Sequence, residues 1–181
     1  MDSLEIINRH YSNNPKAKEL VIEHGRDVAR KALDIICRRP DLCVDPIFIK
    51  HAAVIHDIGI IFCNAPEFYC FGEANYICHG YLGSQVVSRE GFPAYALICE
   101  RHTGTGITVE EILRRNLPIP CREMLPVTIE EKLICYADKF FSKGNIGKER
   151  SLAKVREKIA KHGEDAILRF EQLHNLFEGI A

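Results

Sequence analysis

The stretch that most constrains this chain is His56-Asp57-Ile58-Gly59, which ends an apolar run opening at Asp45-Pro46. Aspartate followed by proline starts a helix, the first as cap and the second at the first helical position. The run sets Ile49, Ala52, Ala53 and His56 on one stripe of period 3.6, so His56 is expected on the buried face. Asp57 follows about 100° further round, and the two side chains can grip one object from two directions. Gly59 is expected to supply the left-handed residue that closes the helix. A buried imidazole beside a buried carboxylate needs a partner, because an unpaired buried charge is very costly. A metal ion would serve.

The rest of the chain repeats the helical theme. Asn14-Pro15 predicts a long helix ending near Arg38-Arg39-Pro40, with Leu20, Val21, His24, Val28, Ala32, Ile35 and Ile36 on its apolar stripe. Residues 60–72 read as an aromatic-lined loop or broken helix. A third helix is expected over about Glu73 to Arg89, with His79, Leu82 and Val86 on one face. Pro93 begins a fourth, in which Ala94, Ile98 and His102 are four apart. The loop Thr103-Gly104-Thr105-Gly106 is expected to be flexible and exposed. Thr108-x-x-Glu111 and Thr128-x-x-Glu131 are capping boxes, and the second opens a helix with Ile134, Asp138 and Phe141 on one face. Two last helices, about Arg150 to His162 and Glu164 to Phe177, flank Gly163. No strand alternation, repeat or low-complexity tract interrupts the pattern. The expected fold is an all-α, single-domain helical bundle over 1–181, its core at about 20–145 and its C-terminal helices at 150–179.

Composition narrows the class. With 181 residues, 46% hydrophobic and 27% charged, the chain can bury roughly 70% of its unfolded surface as one domain. No apolar run approaches the ~20 residues of a membrane span. Met1-Asp2-Ser3-Leu4-Glu5 has no signal-peptide character, so a cytoplasmic protein is expected. The eight cysteines form no C-x-x-C pair and read as small, buried, reduced side chains. A net charge of −1 argues against nucleic acid as an obligatory partner. The stretch 143–161 nevertheless holds seven cations against two anions, read first as a solvated face. His10, His51, His162 and His174 show no partner pattern.

Four helices thus each turn one ligand-type side chain inward, namely His24, His79, His102 and Asp138, and a fifth contributes His56-Asp57. A lone inward histidine is commonly a satisfied core residue. Six such groups on five helices point instead to a metal site built across a bundle. The ordered set His…His-Asp…His…His…Asp, with HDIG at the doublet, resembles the HD superfamily of metal-dependent phosphohydrolases over about residues 20–145, and its two-metal branch in particular.

The resemblance implies a single HD-type domain with two divalent ions, iron, manganese or zinc, with magnesium also admissible. One ion would be held by His24, His56, Asp57 and Asp138, the other by His79 and His102, with Asp57 bridging. It implies hydrolysis of a phosphate ester, from a nucleotide or other small phosphorylated metabolite, by a metal-bridged hydroxide. Arg101 and the loop 103–106 are the expected phosphate donors, so Asp57 and Arg101 are the candidate catalytic residues. Mixed-valent di-iron oxygenases share the six-residue set and form the alternative, with a silent binding module of the same fold behind it. A homodimer stays open. Two departures set the chain apart from cyclic di-GMP phosphodiesterases of the HD-GYP type: Ile60 stands where they commonly carry lysine, and their GYP tripeptide is absent.

Overall fold

The computed structural model describes residues 1–179, and these form an all-α, single-domain bundle of nine α-helices. The long helix α2 (Pro15–Arg38) runs through it, started as expected by the Asn14 side chain, which accepts a hydrogen bond from Ala17 N at 3.1 Å. Against it lies α3 (Pro46–Ile55), capped by Asp45. The two axes approach closely because Gly25 carries no side chain: a Cβ there would stand 2.6 Å from Val54 Cα.

Before α2 comes α1 (Ser3–His10), capped by Asp2 and not among the expected helices. It is short and buries only Ser3, Ile6 and Ile7, so its periodicity is weak. Ser3 Oγ meets His51 Nδ1 of α3 at 3.0 Å.

The end of α3 differs from expectation. The helix stops at Ile55, and Gly59 lies inside a 3₁₀ turn, Ile58–Phe62, rather than in a left-handed closing position. Glycine is needed there for proximity. A Cβ on Gly59 would collide with His79 O and with the backbone of Gly83 on α4 (His79–Arg89). Residues 64–71 then form a small hairpin, β1 (Asn64–Ala65) against β2 (Cys70–Phe71), paired Asn64 with Phe71 and Ala65 with Cys70. The third expected helix starts late. A 3₁₀ turn, Tyr76–Cys78, delivers the chain to His79, the first residue of α4.

Helix α5 (Pro93–Arg101) packs on α4, and α6 (Val109–Arg115) and α7 (Ile129–Asp138) follow the two threonine caps. The last pair, α8 (Leu152–Ala160) and α9 (Glu164–Glu178), closes one side of the bundle. Phe170 and Phe177 of α9 pack on Tyr136 of α7 with ring centroids 5.7 and 5.5 Å apart.

Two apolar clusters make up most of the interior. Val28, Ala32, Ile35, Ile49, Ala52, Leu133 and Tyr136 belong to one, joined by α8 and α9. Val21, Ile55, Ile58, Ile60 and Val87 belong to the other, joined by α1. Along α2, His24 falls between Val21 of the second cluster and Val28 of the first. The polar centre sits at that seam.

Among the described residues no helix is long and apolar enough to cross a membrane. All eight cysteines are free, but Cys37, Cys43 and Cys121 are exposed, so the expected burial holds for five.

Candidate His/Asp centre

Five helices deliver the six side chains to one place. His24 comes from the middle of α2, His56 and Asp57 from the end of α3, His79 from the start of α4, His102 from just beyond α5, and Asp138 from the last turn of α7. Helix ends dominate because a terminal residue can project along the axis while its neighbours still pack.

Asp57 is the hub. Its Oδ2 lies 3.2 Å from His24 Nε2 and 3.1 Å from His56 Nε2. Its Oδ1 lies 3.5 Å from His79 Nε2 and 3.4 Å from His102 Nε2. Asp138 Oδ1 adds contacts of 3.0 Å to His24 Nε2 and 3.6 Å to His56 Nε2. Two groups of potential ligands result, His24/His56/Asp57/Asp138 and Asp57/His79/His102, each with its donor atoms within 4.8 Å of one another.

The ring nitrogens show which face is offered. Nδ1 of His56, His79 and His102 lies 2.6, 2.7 and 2.8 Å from the carbonyl three residues earlier, on Ala53, Tyr76 and Cys99. A nitrogen facing a carbonyl must be the protonated one, so in each neutral ring Nε2 turns its lone pair toward Asp57. His79 Nε2 and His102 Nε2 are 3.1 Å apart. Two lone pairs at that distance repel unless a cation stands between them. Such backbone-anchored imidazoles are the arrangement that orients metal ligands.

Electrostatics agree with neutral rings on that side. Burial, with His102 alongside, pushes His79 down to about 3, and burial also lowers His102. His56 differs: burial disfavours its charge, but Asp57 and Asp138 outweigh this and raise it to about 9. Asp57 is held well below the carboxylate range despite burial, by His56 and then by Lys143.

Lys143 is the unexpected member. Its Nζ stands 2.6 Å from Asp57 Oδ2, and both side chains are almost wholly buried. The sequence marks it, with Lys148 and Arg150, as a cation just after Asp138 that could face an anionic substrate, and gives no sign of its pairing with Asp57. Beside it, Lys139 Nζ pairs with Asp138 Oδ2 at 2.7 Å.

Arg101 is not brought into this cluster. Its Nη1 donates to both carboxylate oxygens of buried Glu131, at 3.1 and 2.9 Å, so its charge is neutralised there. The loop after His102, expected to be flexible and exposed, is largely tied down, with Gly104 its exposed residue. Thr105 and Gly106 are buried, with Thr105 Oγ1 donating to Ala166 O at 3.2 Å and Arg169 Nη2 to Gly106 O at 3.3 Å. Part of the basic stretch is paired, through Lys154–Glu157 and Arg156–Glu171, while its Glu149 is taken by Lys31.

No family model and no solved structure matches the chain. Relatives among curated proteins do. A tRNA (cytidine(56)-2'-O)-methyltransferase of Picrophilus torridus is 31% identical over 167 residues, covering 91% of this chain and 43% of that protein. One of the same description from Thermoplasma volcanium is 29% identical over 166 residues, covering 91% of this chain and 44% of its own. An uncharacterised protein of Methanocaldococcus jannaschii is 29% identical over 167 residues, 88% of this chain and 91% of that protein. The chain therefore spans less than half of the two methyltransferases it matches.

These names overturn the phosphohydrolase expectation. The activity named for the two methyltransferases is ribose methylation of tRNA, so hydrolysis of a small phosphate ester, and the HD-type resemblance that implied it, is withdrawn along with the di-iron alternative. The physical reason is that an ordered set of histidines and aspartates reports ligand geometry, and geometry of that kind does not name a reaction. The divalent ions expected as working cofactor fall with the hydrolysis. Methyl transfer is a displacement at carbon from a sulfonium donor, S-adenosylmethionine by implication, and it calls for no Lewis acid. The exclusion of nucleic acid is corrected too, since both named relatives act on tRNA. Net charge does not decide the matter, because it is a sum over the chain, whereas binding responds to where cations gather.

The described residues do not fit the implied methyl donor. Their strands are the two-residue pair of one hairpin, with no strand, glycine-rich turn and helix to hold a nucleoside-bearing group. The glycine-bearing loop 103–106 is tied down by α9 instead.

Proposed function

We propose that this chain is a helical unit of tRNA ribose methylation that engages tRNA, with the methyl-transfer step carried by a part of the machinery outside it. The supporting observation is an asymmetry of length. The likeness covers 91% of this chain but 43% of the Picrophilus torridus methyltransferase, leaving more than half of that protein for the donor and the chemistry. The M. jannaschii relative, 91% covered, is a protein made almost entirely of this unit. The helical bundle without a donor cradle supports the same division of labour.

The six side chains are carried forward as a ligand set on their geometry alone. They form two groups that share Asp57, each able to hold an ion, and neither Asp57 carboxylate oxygen accepts a well-directed hydrogen bond. Ions there would neutralise buried charge, and one in the Asp57/His79/His102 group would relieve the opposed lone pairs of His79 and His102. A cytoplasmic setting is supported by eight free thiols, which persist in a reducing compartment.

Binding of an unmodified tRNA transcript, and transfer of labelled methyl from S-adenosylmethionine, test the proposal on the isolated chain. Saturable tRNA binding without methyl transfer is expected. Methylation of the transcript by this chain alone would overturn the division of labour, and absence of tRNA binding would overturn the partner.

A further inference from the structure

Two cavities lie beside the centre. One, of about 260 Å3, opens over His24 and Asp138 and is lined by Lys139, Lys143, Arg150, Lys158 and His162 together with Phe68 and Tyr76, whose ring centroids lie 6.0 and 5.9 Å from Lys143 Nζ. The other, of about 240 Å3, is lined by Ile77, Ile107, Thr103 and Ala166. The two share Tyr76, Gly104, Ile159 and His162, so they abut across that wall.

Charge in the first cavity is unbalanced toward solvent. Its single acidic wall residue, Asp138, is already engaged by Lys139, and Lys143 is engaged by Asp57. Arg150 donates to the carbonyls of Lys139 and Phe141 and meets no carboxylate. Lys158 has no ion-pair partner among the described residues and stands four residues after Lys154 on α8 and three before Lys161, the residue that caps that helix. Like charges at those spacings repel. Burial, then Arg150, Lys154 and Lys161, depress the Lys158 ammonium accordingly. In the second cavity the one carboxylate, Glu111, is paired with Arg169 at 2.8 Å, and the rest of the lining is mostly apolar surface around Tyr76, with Arg115, His79 and His162 as its other ring or charged groups.

We propose that the two cavities form one seat for a nucleotide of an RNA strand, with a backbone phosphate at Arg150 and Lys158 and the base in the chamber beside Tyr76. A cationic groove tracking the backbone next to an aromatic platform is how single-stranded nucleic acid is held. The inference rests on the tRNA reading above and names the face that reading requires. The buried His/Asp centre lies at the inner end of the same groove, so the seated nucleotide would be presented to it.

The test is titration of a tRNA transcript onto the full chain at several salt concentrations, for the wild type, Lys158→Glu, Lys158→Ala and Lys50→Glu. Lys50 is exposed and lines neither cavity, so it controls for net charge. Lys158→Glu is expected to weaken binding about tenfold or more, Lys158→Ala to weaken it less and lower the salt slope by about one, and Lys50→Glu to change it less than about twofold. Lys158 is exposed on its helix, and unchanged thermal melts confirm folding. Photo-crosslinking with 4-thiouridine-substituted tRNA is expected to mark a peptide containing Tyr76. Equal losses for Lys158→Glu and Lys50→Glu, or crosslinks confined to other faces, would overturn the seat while leaving tRNA binding intact. A wild type that binds no tRNA would instead bring down the reading on which the seat rests.

Discussion

At the scale of single residues, the Asp57–Lys143 contact carries the largest electrostatic stake. Asp57 is fully buried and Lys143 nearly so, and removing one member of such a pair leaves an uncompensated charge, typically at a cost of ~3–5 kcal/mol. Lys143→Met, of similar length, is therefore expected to lower the urea midpoint by a corresponding amount. Adding Asp57→Asn should restore part of the loss, since the orphaned charge is then gone; a double variant as unstable as the sum of the singles would show that the pair is not coupled. The ligand set is tested apart from any activity by Co²⁺, whose visible absorption reports imidazole coordination. Wild-type protein is expected to develop these bands and Asp57→Asn to lose them, because Asp57 alone belongs to both groups of potential ligands. Bands that survive in Asp57→Asn would remove it from the hub.

At the scale of elements, caps and close approaches decide where helices stop and how near they lie. The capping box of α6 is complete: Thr108 accepts from Glu111 N at 3.1 Å, and Glu111 accepts from Thr108 N at 2.8 Å. Burial opposes the Glu111 charge, but the Thr108 backbone and Arg169 outweigh it, so its folded pKa lies below the ordinary 4.5. A depressed carboxylate contributes stability above its unfolded pKa and loses it as pH falls through the folded value. Glu111→Gln is thus expected to cost about 0.5–2 kcal/mol at pH 7, with the gap to wild type closing as pH drops below about 4. Denaturation midpoints across pH measure this, and a gap independent of pH would mean that the charge is not what the cap uses. Gly59→Ala addresses packing. Its Cβ would meet backbone on α4, which cannot yield as a side-chain tip does, so a loss of at least ~1–3 kcal/mol is expected in thermal melts.

For the whole molecule, the seam between the two apolar clusters is where the polar centre sits. The six polar groups can converge there because α2, α3, α5 and α7 are held in register by large side chains on either side. Helix α9 locks one side through Phe170 and Phe177 and also walls the apolar chamber with Ala166 and Arg169. Phe170→Ala should open a cavity costing ~3–5 kcal/mol, a fall in Tm of roughly 6–20 °C for a domain of this size. A fall of only a degree or two would place α9 outside the cooperative unit.

The chain's sequence by itself determined most of the helices and the inward direction of His24, His56, His79, His102 and Asp138. Those properties are local: caps act within four residues, and a 3.6 period tells which side of a helix is apolar. Asn14-Pro15, Asp45-Pro46 and Thr108…Glu111 were all readable for that reason. Chemistry did not follow from the same letters, because histidines and aspartates specify what they could ligate and leave the reaction to the surrounding surface. Only the tertiary structure decided the pairings between distant segments. It gave Arg101 to Glu131, thirty residues on, and Lys143 to Asp57, and it tied Thr105 to α9. It also turned Gly59 from a helix terminator into a point of contact with α4. Contacts of that range depend on how the bundle closes, which no window along the chain contains.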